Sequence, residues 1–558
     1  MAELQASEAI GQPKVMAIDS QVQIAKATKL YKSGNVAAAV RQLHVVLRHN
    51  PRSGPALHLM GVMALGQGEL EVAADYLSRA VKCEPNNGKY MATLGDALNQ
   101  SKRLDVALEC YRKAVALGED GAGMRVTLAS LLQNIGRSDE AFEHYHAALD
   151  FESDSVTVLS HYADLLEKVH RLDESRAIAE RGLKLDPTDP SLHLICARIE
   201  RRQSQAEAAT ERLGQLLTFD HIEPHAPVIH AELGELLDYR REFDEAFKHF
   251  EESNRLAALQ LEDDSRGVDK NNFRQRVEQL RDCCGPGWAE STTQSPPAQE
   301  DEVPAFLIGF PRSGTTLLDQ ILDSHPAVQT LEERLVVHML RRKVQSMAGG
   351  YPVALAGLSH DVIHSLRDVY ARVAAFHVER QPGTLFIDKF PLNIIDVPLI
   401  WRVYPSAKFI VMLRHPCDVC LSCFMKHFHL NDAMANFLTL EDTATSYASV
   451  MSLWQQYKRV LPIRYQEVRY EDLVNDMPTE AKRLLEFLGL GWNDAVLRFN
   501  DHARQRTKIN TPSYSQVTQP LYRRAIARWQ SYASQMAPVM DHLLPFITAF
   551  GYGTEVQS

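Results

Sequence analysis

Residues recur every 34 positions through the first half of this 558-residue chain, and that interval restricts its fold more than any other feature. Pro51 and Pro85 are 34 apart, and Pro187 falls three periods further on. Gly61, Gly95, Ala129, Ala163 and Ala197 keep the interval, as do Ala39, Ala73, Ala107 and Ala141, then Tyr111 and Tyr145. Small residues at helix-crossing positions let paired helices approach closely, and a proline closes the second helix of each pair. One such pair cannot bury its apolar face alone, so each needs neighbours. The period predicts a stacked array of helix pairs over residues 19–262, with six units in register to about Leu217. A seventh unit, with Gly234, Ala246 and Phe250, is offset by three residues across Phe219 to Pro227.

This pattern resembles the tetratricopeptide repeat, and the resemblance implies an all-α solenoid of the kind that binds peptides or builds assemblies. A concave groove that receives an acceptor protein and an arm that forms a homodimer both fit. No residue in the array reads as catalytic. His44, His58 and His193 read as surface or packing residues.

A chain of this length divides into two or three domains. Its net charge of -11 argues against a general nucleic-acid binder. No apolar run reaches the ~18 residues of a membrane span, and within the tail of residues 1–18 the stretch Met1 to Lys14 is polar with no apolar core, so neither a signal peptide nor a membrane anchor is expected. The eight cysteines are scattered, which favours reduced thiols in a cytoplasmic protein. Cys417, Cys420 and Cys423 line one helix flank and read as packing residues, so no metal is expected. Residues 263–302 read as a linker: a loop near Gly267, a short helix over Phe273 to Leu280, then a flexible boundary from Ser291 to Glu302 rich in Ser, Thr, Gln and Pro.

Chemistry begins at Phe306-Leu307-Ile308-Gly309-Phe310-Pro311-Arg312-Ser313-Gly314-Thr315-Thr316. An apolar run, a tight loop and a helical pattern with Leu317, Leu318, Ile321 and Leu322 on one face deliver backbone N–H groups to one point, an anion site. The Gly309-x4-Gly314 spacing is P-loop-like, but Thr315 stands where a nucleotide triphosphatase has its Lys. The positive charge comes earlier, at Arg312, whose planar guanidinium suits a phosphate- or sulfate-like oxyanion.

From Val303 onward, apolar runs alternate with helical patterns, which predicts an α/β domain over residues 303–553 with a mainly parallel sheet. Thr384 to Ile387 and Lys408 to Leu413 read as buried strands, Tyr465 to Tyr470 as a weaker one, and Thr439 to Leu461 and Thr479 to Leu488 as helices. Ligands bind beyond the carboxyl ends of such strands. Lys389 follows the second run. Arg414 follows the third, with Ser422 two turns into the next helix. Two separate anion sites suggest a nucleotide with phosphates at two places.

Together these residues resemble the sulfotransferases that use 3′-phosphoadenosine 5′-phosphosulfate. Pro311 to Thr316 is similar to their 5′-phosphosulfate loop, and Arg414 with Ser422, eight residues apart, to their 3′-phosphate motif. Tyr470-Glu471-Asp472-Leu473, Phe487-Leu488-Gly489-Leu490 and the tail from Gln516 to Tyr532 also resemble that family. The resemblance implies sulfuryl transfer to an acceptor hydroxyl, with protein tyrosine one such acceptor. Arg312, Ser313, Gly314, Thr315, Thr316, Arg414, Ser422 and Tyr470 would bind the donor. Protein-tyrosine members place a catalytic Glu 21 residues after the loop Arg, the interval from Arg312 to Glu333. Glu333 would be the general base, Lys389 would stabilise the leaving group, and Ser513 would touch the donor near the reacting centre. Glu332 and Glu333 also read as a solvated pair at a helix start, where acidic residues are favoured. His325, His338 and His415 read as structural. Two departures stand out: Leu335 replaces an Arg of the protein-tyrosine members, and Ser515 to Pro520 lacks a basic residue expected there. Arg523 or Arg524 would be the substitute. The alternatives are a sulfotransferase acting on carbohydrate or small molecules, and a repeat scaffold or adaptor carrying a catalytically weak domain.

Overall fold

The computed structural model describes residues 19–262, 267–299, 302–505 and 525–553. Fourteen helices, from α1 (Ser20–Lys32) to α14 (Phe243–Glu262), make up the repeat array. Their starts are capped where the sequence supplies a short polar acceptor: Asp19 Oδ1 accepts from Gln21 N at 3.0 Å, and Asp189 Oδ1 from Leu192 N at 2.8 Å. The small residues sit where helices of a pair cross. A Cβ on Gly95 would lie 2.6 Å from the Tyr111 ring, and one on Gly234 would lie 2.6 Å from the Phe250 ring. Both pairs are separated by 16 residues, so the same crossing recurs in the third and seventh units. Ala39, Ala73, Ala107 and Ala141 are all fully buried.

The chain forms two compact units. One comprises residues up to Ile135 with Glu140–Glu152; the other comprises Gly136–Asp139 and everything from Ser153 on. This division falls within the array. In the second unit, α13 (Ala226–Tyr239) and α14 of the seventh repeat pack into the rest of the unit. Phe247 stacks on Phe424 with centroids 5.2 Å apart, and Asn254 Nδ2 donates to the Phe424 carbonyl at 2.9 Å.

The described residues of the segment expected to be a linker are held by distant partners. Helix α15 (Lys270–Cys283) buries Phe273, Val277 and Leu280, an i, i+4, i+7 stripe. After a single turn, α16 (Trp288–Ser291), Thr293 to Pro297 of the stretch read as a flexible boundary are clamped. Arg367 donates to the carbonyls of Pro296 at 2.6 Å and Pro297 at 2.9 Å. Buried Arg402 donates to Thr293 Oγ1 and Ser295 Oγ, each at 2.8 Å. Polar, proline-rich composition signals flexibility only while its carbonyls lack donors, and here two arginines from later in the chain supply them.

Five parallel strands form one sheet in the order β2-β3-β1-β4-β5: β1 (Ala305–Gly309), β2 (Val328–Glu332), β3 (Leu385–Lys389), β4 (Lys408–Leu413) and β5 (Arg464–Arg469). Alternation puts Phe306, Ile308, Phe409 and Val411 into the core on one face, and Leu307, Ile387, Ile410 and Met412 into the core on the other. The α/β expectation holds, and the helices read at Thr439 and Thr479 are α22 (Leu440–Val460) and α24 (Met477–Leu488). β2 is not legible in the sequence: it is an edge strand, so Gln329 and Thr330 interrupt its apolar pattern. Tyr470, read as the end of a strand, instead opens helix α23 (Tyr470–Asn475). Among the described residues no helix is long and apolar enough to cross a membrane.

Candidate active site

Every strand of the sheet ends in the same direction, and the expected site residues leave from those ends. After β1, Arg312 has φ +68° and Gly314 φ +105°, so the loop folds back tightly before α17 (Thr315–Asp323) begins. Thr315 and Thr316 lie buried in the first turn of that helix, whose leading N–H groups have no intrahelical partner. Ser313 Oγ is buried with no hydrogen-bond partner among the described residues. A buried hydroxyl costs free energy unless it is satisfied, which marks this loop as a place for an acceptor-rich ligand.

The second cradle lies one strand away. Arg414 follows β4, and its guanidinium carbon stands 5.0 Å from the centroid of the Tyr470 ring, which leaves β5. Nη1 of Arg414 donates to the carbonyl of Arg312 at 3.1 Å, and Nη2 donates to the carbonyl of Ala525. Its Nε is buried without a partner among the described residues. Ser422, on α21 (Pro416–Phe424), accepts from Arg312 Nε at 3.1 Å. The two anion sites read separately in the sequence are thus joined by direct hydrogen bonds. Tyr470 also backs the first cradle, because a Cβ on Gly314 would meet its ring at 2.5 Å.

On the other side, Glu333 leaves β2 with φ +45°, and its N–H donates to the Lys389 carbonyl at 2.8 Å. Lys389 Nζ is fully buried and donates to Glu333 at 2.9 Å and to Glu332 at 3.5 Å. Burial opposes the ammonium's charge, but Glu333 and then Glu332 outweigh it and hold its pKa above the ordinary value. The two glutamates are therefore no solvated pair at a helix start: Glu332 ends a strand, directly opposite Lys389 in the β2–β3 register, and α18 (Val336–Gln345) begins only later. Burial lowers the pKa of the neighbouring Arg334 guanidinium, with Glu332 and Glu333 opposing it. Leu335 is exposed.

The three histidines have structural partners. His325 Nε2 lies 3.0 Å from the Gly491 carbonyl, and His338 Nδ1 lies 2.6 Å from Arg341. His415 stacks on Trp529 at 5.2 Å with its pKa lowered by burial to about 4. Cys417, Cys420 and Cys423 are buried, and Cys423 Sγ donates to the Pro311 carbonyl at 3.4 Å. Ser513 and the stretch from Gln516 to Arg524 lie outside the described residues.

Two carboxylates were not legible as site residues. Asp418 on α21 accepts from the backbone N–H groups of Ala527 and Trp529, each at 2.9 Å. Asp388, beside Lys389 in β3, is buried and accepts from Tyr370 OH at 2.9 Å, and burial pushes its pKa up to about 7. No local spacing signals either, since the partners are remote in sequence.

Residues 304–494 match the sulfotransferase family model, and residues 23–186 match a tetratricopeptide repeat model. The chain thus joins a tetratricopeptide array to an α/β domain that matches the sulfotransferase family model. An uncharacterized protein of Aquifex aeolicus is 25% identical over 323 residues, covering 56% of this chain and 40% of its own length. Protein-tyrosine sulfotransferase 2 of Gallus gallus is 27% identical over 260 residues, covering 44% of this chain and 68% of that protein. Protein-tyrosine sulfotransferase of Drosophila melanogaster is 25% identical over 269 residues, covering 44% of this chain and 51% of that protein. Among solved structures, a tetratricopeptide repeat protein from Parabacteroides merdae aligns with 42% of this chain and 93% of its own at 16% identity and a TM-score of 0.38. In the α/β domain, the loop after β1, Glu333, Lys389, Arg414, Ser422 and Tyr470 all fall within the matched span.

Proposed function

We propose that this chain transfers a sulfuryl group from 3′-phosphoadenosine 5′-phosphosulfate to an acceptor hydroxyl, with a protein tyrosine as the favoured acceptor. The supporting observation is that two cradles, each holding a buried donor without a partner among the described residues (Ser313 Oγ and Arg414 Nε), meet at the carboxyl ends of the strands, beside the buried Lys389 and its Glu333 partner. That arrangement fits a ligand with phosphate-like groups at two places. The bound donor would supply an activated sulfur–oxygen bond. Arg312, Ser313 and the N–H groups at the start of α17 would hold the 5′ end, and Arg414 with Ser422 the 3′-phosphate.

Glu333, partly exposed at the exit of the edge strand, would accept the acceptor's hydroxyl proton as its oxygen bonds to sulfur. An ammonium has three donors. Lys389 directs two at Glu333 and Glu332, which leaves one for the oxygen that departs with the phosphate. Charge stabilisation of this kind, in a site closed to water, is usually a large part of catalysis. Ser513, which lies outside the described residues, would touch the donor near the reacting centre. The array would present a protein or peptide acceptor. The exposed Leu335, where protein-tyrosine members have Arg, favours a second reading in which the hydroxyl belongs to a carbohydrate or small molecule.

Calorimetry with 3′-phosphoadenosine 5′-phosphate against ATP tests the donor, with tight binding expected for the former alone. Transfer of labelled sulfate to tyrosine peptides, polysaccharide and a small phenol tests the acceptor. Label confined to polysaccharide would overturn the tyrosine preference. Glu333→Gln should cut turnover by about 10²–10⁴-fold, the usual contribution of a positioned base, with donor binding intact. Full turnover in that variant would remove Glu333 from the mechanism.

A further inference from the structure

Asp238 lies near the end of α13 in the seventh repeat and is buried. Its carboxylate accepts from Arg528 Nη2 at 2.6 Å and from Tyr532 OH at 2.7 Å, partners some 290 residues along the chain. Burial opposes the charge on Arg528, and Asp238 more than restores it. Both partners belong to the segment 525–532, whose other end reaches the donor site. Ala527 and Trp529 give their N–H groups to Asp418 on α21, the helix that carries Ser422. The carbonyl of Ala525 receives Arg414 Nη2. A continuous set of hydrogen bonds therefore runs from a repeat helix, through this segment, to the guanidinium of the second cradle.

We infer that the seventh repeat is a working part of the donor site: Asp238 is a positioning residue that holds segment 525–532 in place and through it aims Arg414 at the donor's 3′-phosphate. The inference rests on the donor reading above. A guanidinium grips phosphate through a planar fork, so its value depends on orientation. Two carbonyls, those of Arg312 and Ala525, set that orientation, and the second belongs to the segment that Asp238 anchors. The residues matching the sulfotransferase family end at 494, so both the segment and its anchor lie outside the matched span. The array then contributes to donor affinity whatever acceptor it carries.

The test compares 3′-phosphoadenosine 5′-phosphate with adenosine 5′-monophosphate, which lacks the 3′-phosphate, by calorimetry on the full-length chain. Asp238→Asn should weaken binding of the first about tenfold, in the range for residues acting through a network, and leave the second unchanged. Tyr532→Phe, which keeps the ring and removes one hydrogen bond, should weaken it about threefold by the same reasoning, and it carries the test should Asp238→Asn misfold. Asp442→Asn serves as the stability control, because Asp442 pairs with Lys270 and Arg274 away from the segment. That variant should lower Tm without changing the preference between the two ligands. An unchanged preference in Asp238→Asn and Tyr532→Phe, or an equal loss in Asp442→Asn, overturns the inference. Wild-type protein that binds neither nucleotide overturns the donor reading and the inference together, whereas tight wild-type binding with insensitive variants overturns the inference alone.

Discussion

Gly314→Ala tests whether the two cradles are one device. The residue has φ +105°, a conformation that costs a residue with a Cβ roughly 1–2 kcal/mol. The new methyl would also lie 2.5 Å from Cδ2 of Tyr470 and 3.2 Å from Cε of Met412. Met412 is flexible, but Tyr470 is buried beneath the Arg414 guanidinium, so its ring cannot retreat without moving Arg414. Overpacking of this kind costs about 1–3 kcal/mol. The combined penalty of about 2–5 kcal/mol would be divided between a lower Tm and weaker binding. All five tryptophans fall between Trp288 and Trp529, so intrinsic fluorescence reports on the second unit's unfolding, expected roughly 2–4 °C lower per kcal/mol. Calorimetry should show 3′-phosphoadenosine 5′-phosphate bound at least ~10-fold more weakly, equivalent to 1.4 kcal/mol. A variant with wild-type Tm and binding within about twofold would refute the packing argument, because ~0.4 kcal/mol cannot contain both terms.

Two further perturbations probe the buried charges beside the site. The Asp388 carboxyl has its pKa raised by burial from 3.8 to about 7, so between those values the native state binds more protons than the unfolded one and stability falls as pH rises. Asp388→Asn should remove that slope and be the more stable protein at pH 8, by up to roughly 4 kcal/mol; equal slopes in urea titrations at pH 5 and pH 8 would refute it. Lys389→Met should cost about 3–5 kcal/mol at pH 7, as expected when one partner of a buried pair is removed, and should abolish transfer. Because Glu333 and Glu332 raise the pKa of Lys389, the wild-type stabilisation is complete below the unfolded lysine value near ~10.4 and is lost as pH climbs through the higher folded value, so the stability gap between the two proteins should narrow only in strong alkali.

The repeat array was legible because its determinants are local and periodic: Gly95 and Tyr111, like Gly234 and Phe250, meet at a fixed spacing that the chain states outright. The loop after β1 and strands β3 and β4 were legible for a similar reason, since buried central strands are uninterrupted apolar runs bounded by turns. Edge strand β2 escaped because one open side relaxes the demand for apolar residues. Glu332 matches no motif of its own, and only the β2–β3 register, which sets it opposite Lys389 across 57 residues of sequence, reveals that one buried ammonium serves both glutamates.

By itself, then, the amino-acid order determined an all-helical repeat array, a parallel α/β domain and the residue types gathered at the candidate site, because periodicity and short motifs act over a few turns of chain. The tertiary structure decided the rest: that the proline-rich stretch is clamped by Arg367 and Arg402, that Arg312 bonds to Ser422, and that Asp238 of a repeat reaches Arg528 and Tyr532. Those pairings depend on strand order and on which polar groups are buried together. A buried donor or acceptor takes whatever partner the closed fold brings within reach, and sequence separation leaves no trace of that choice.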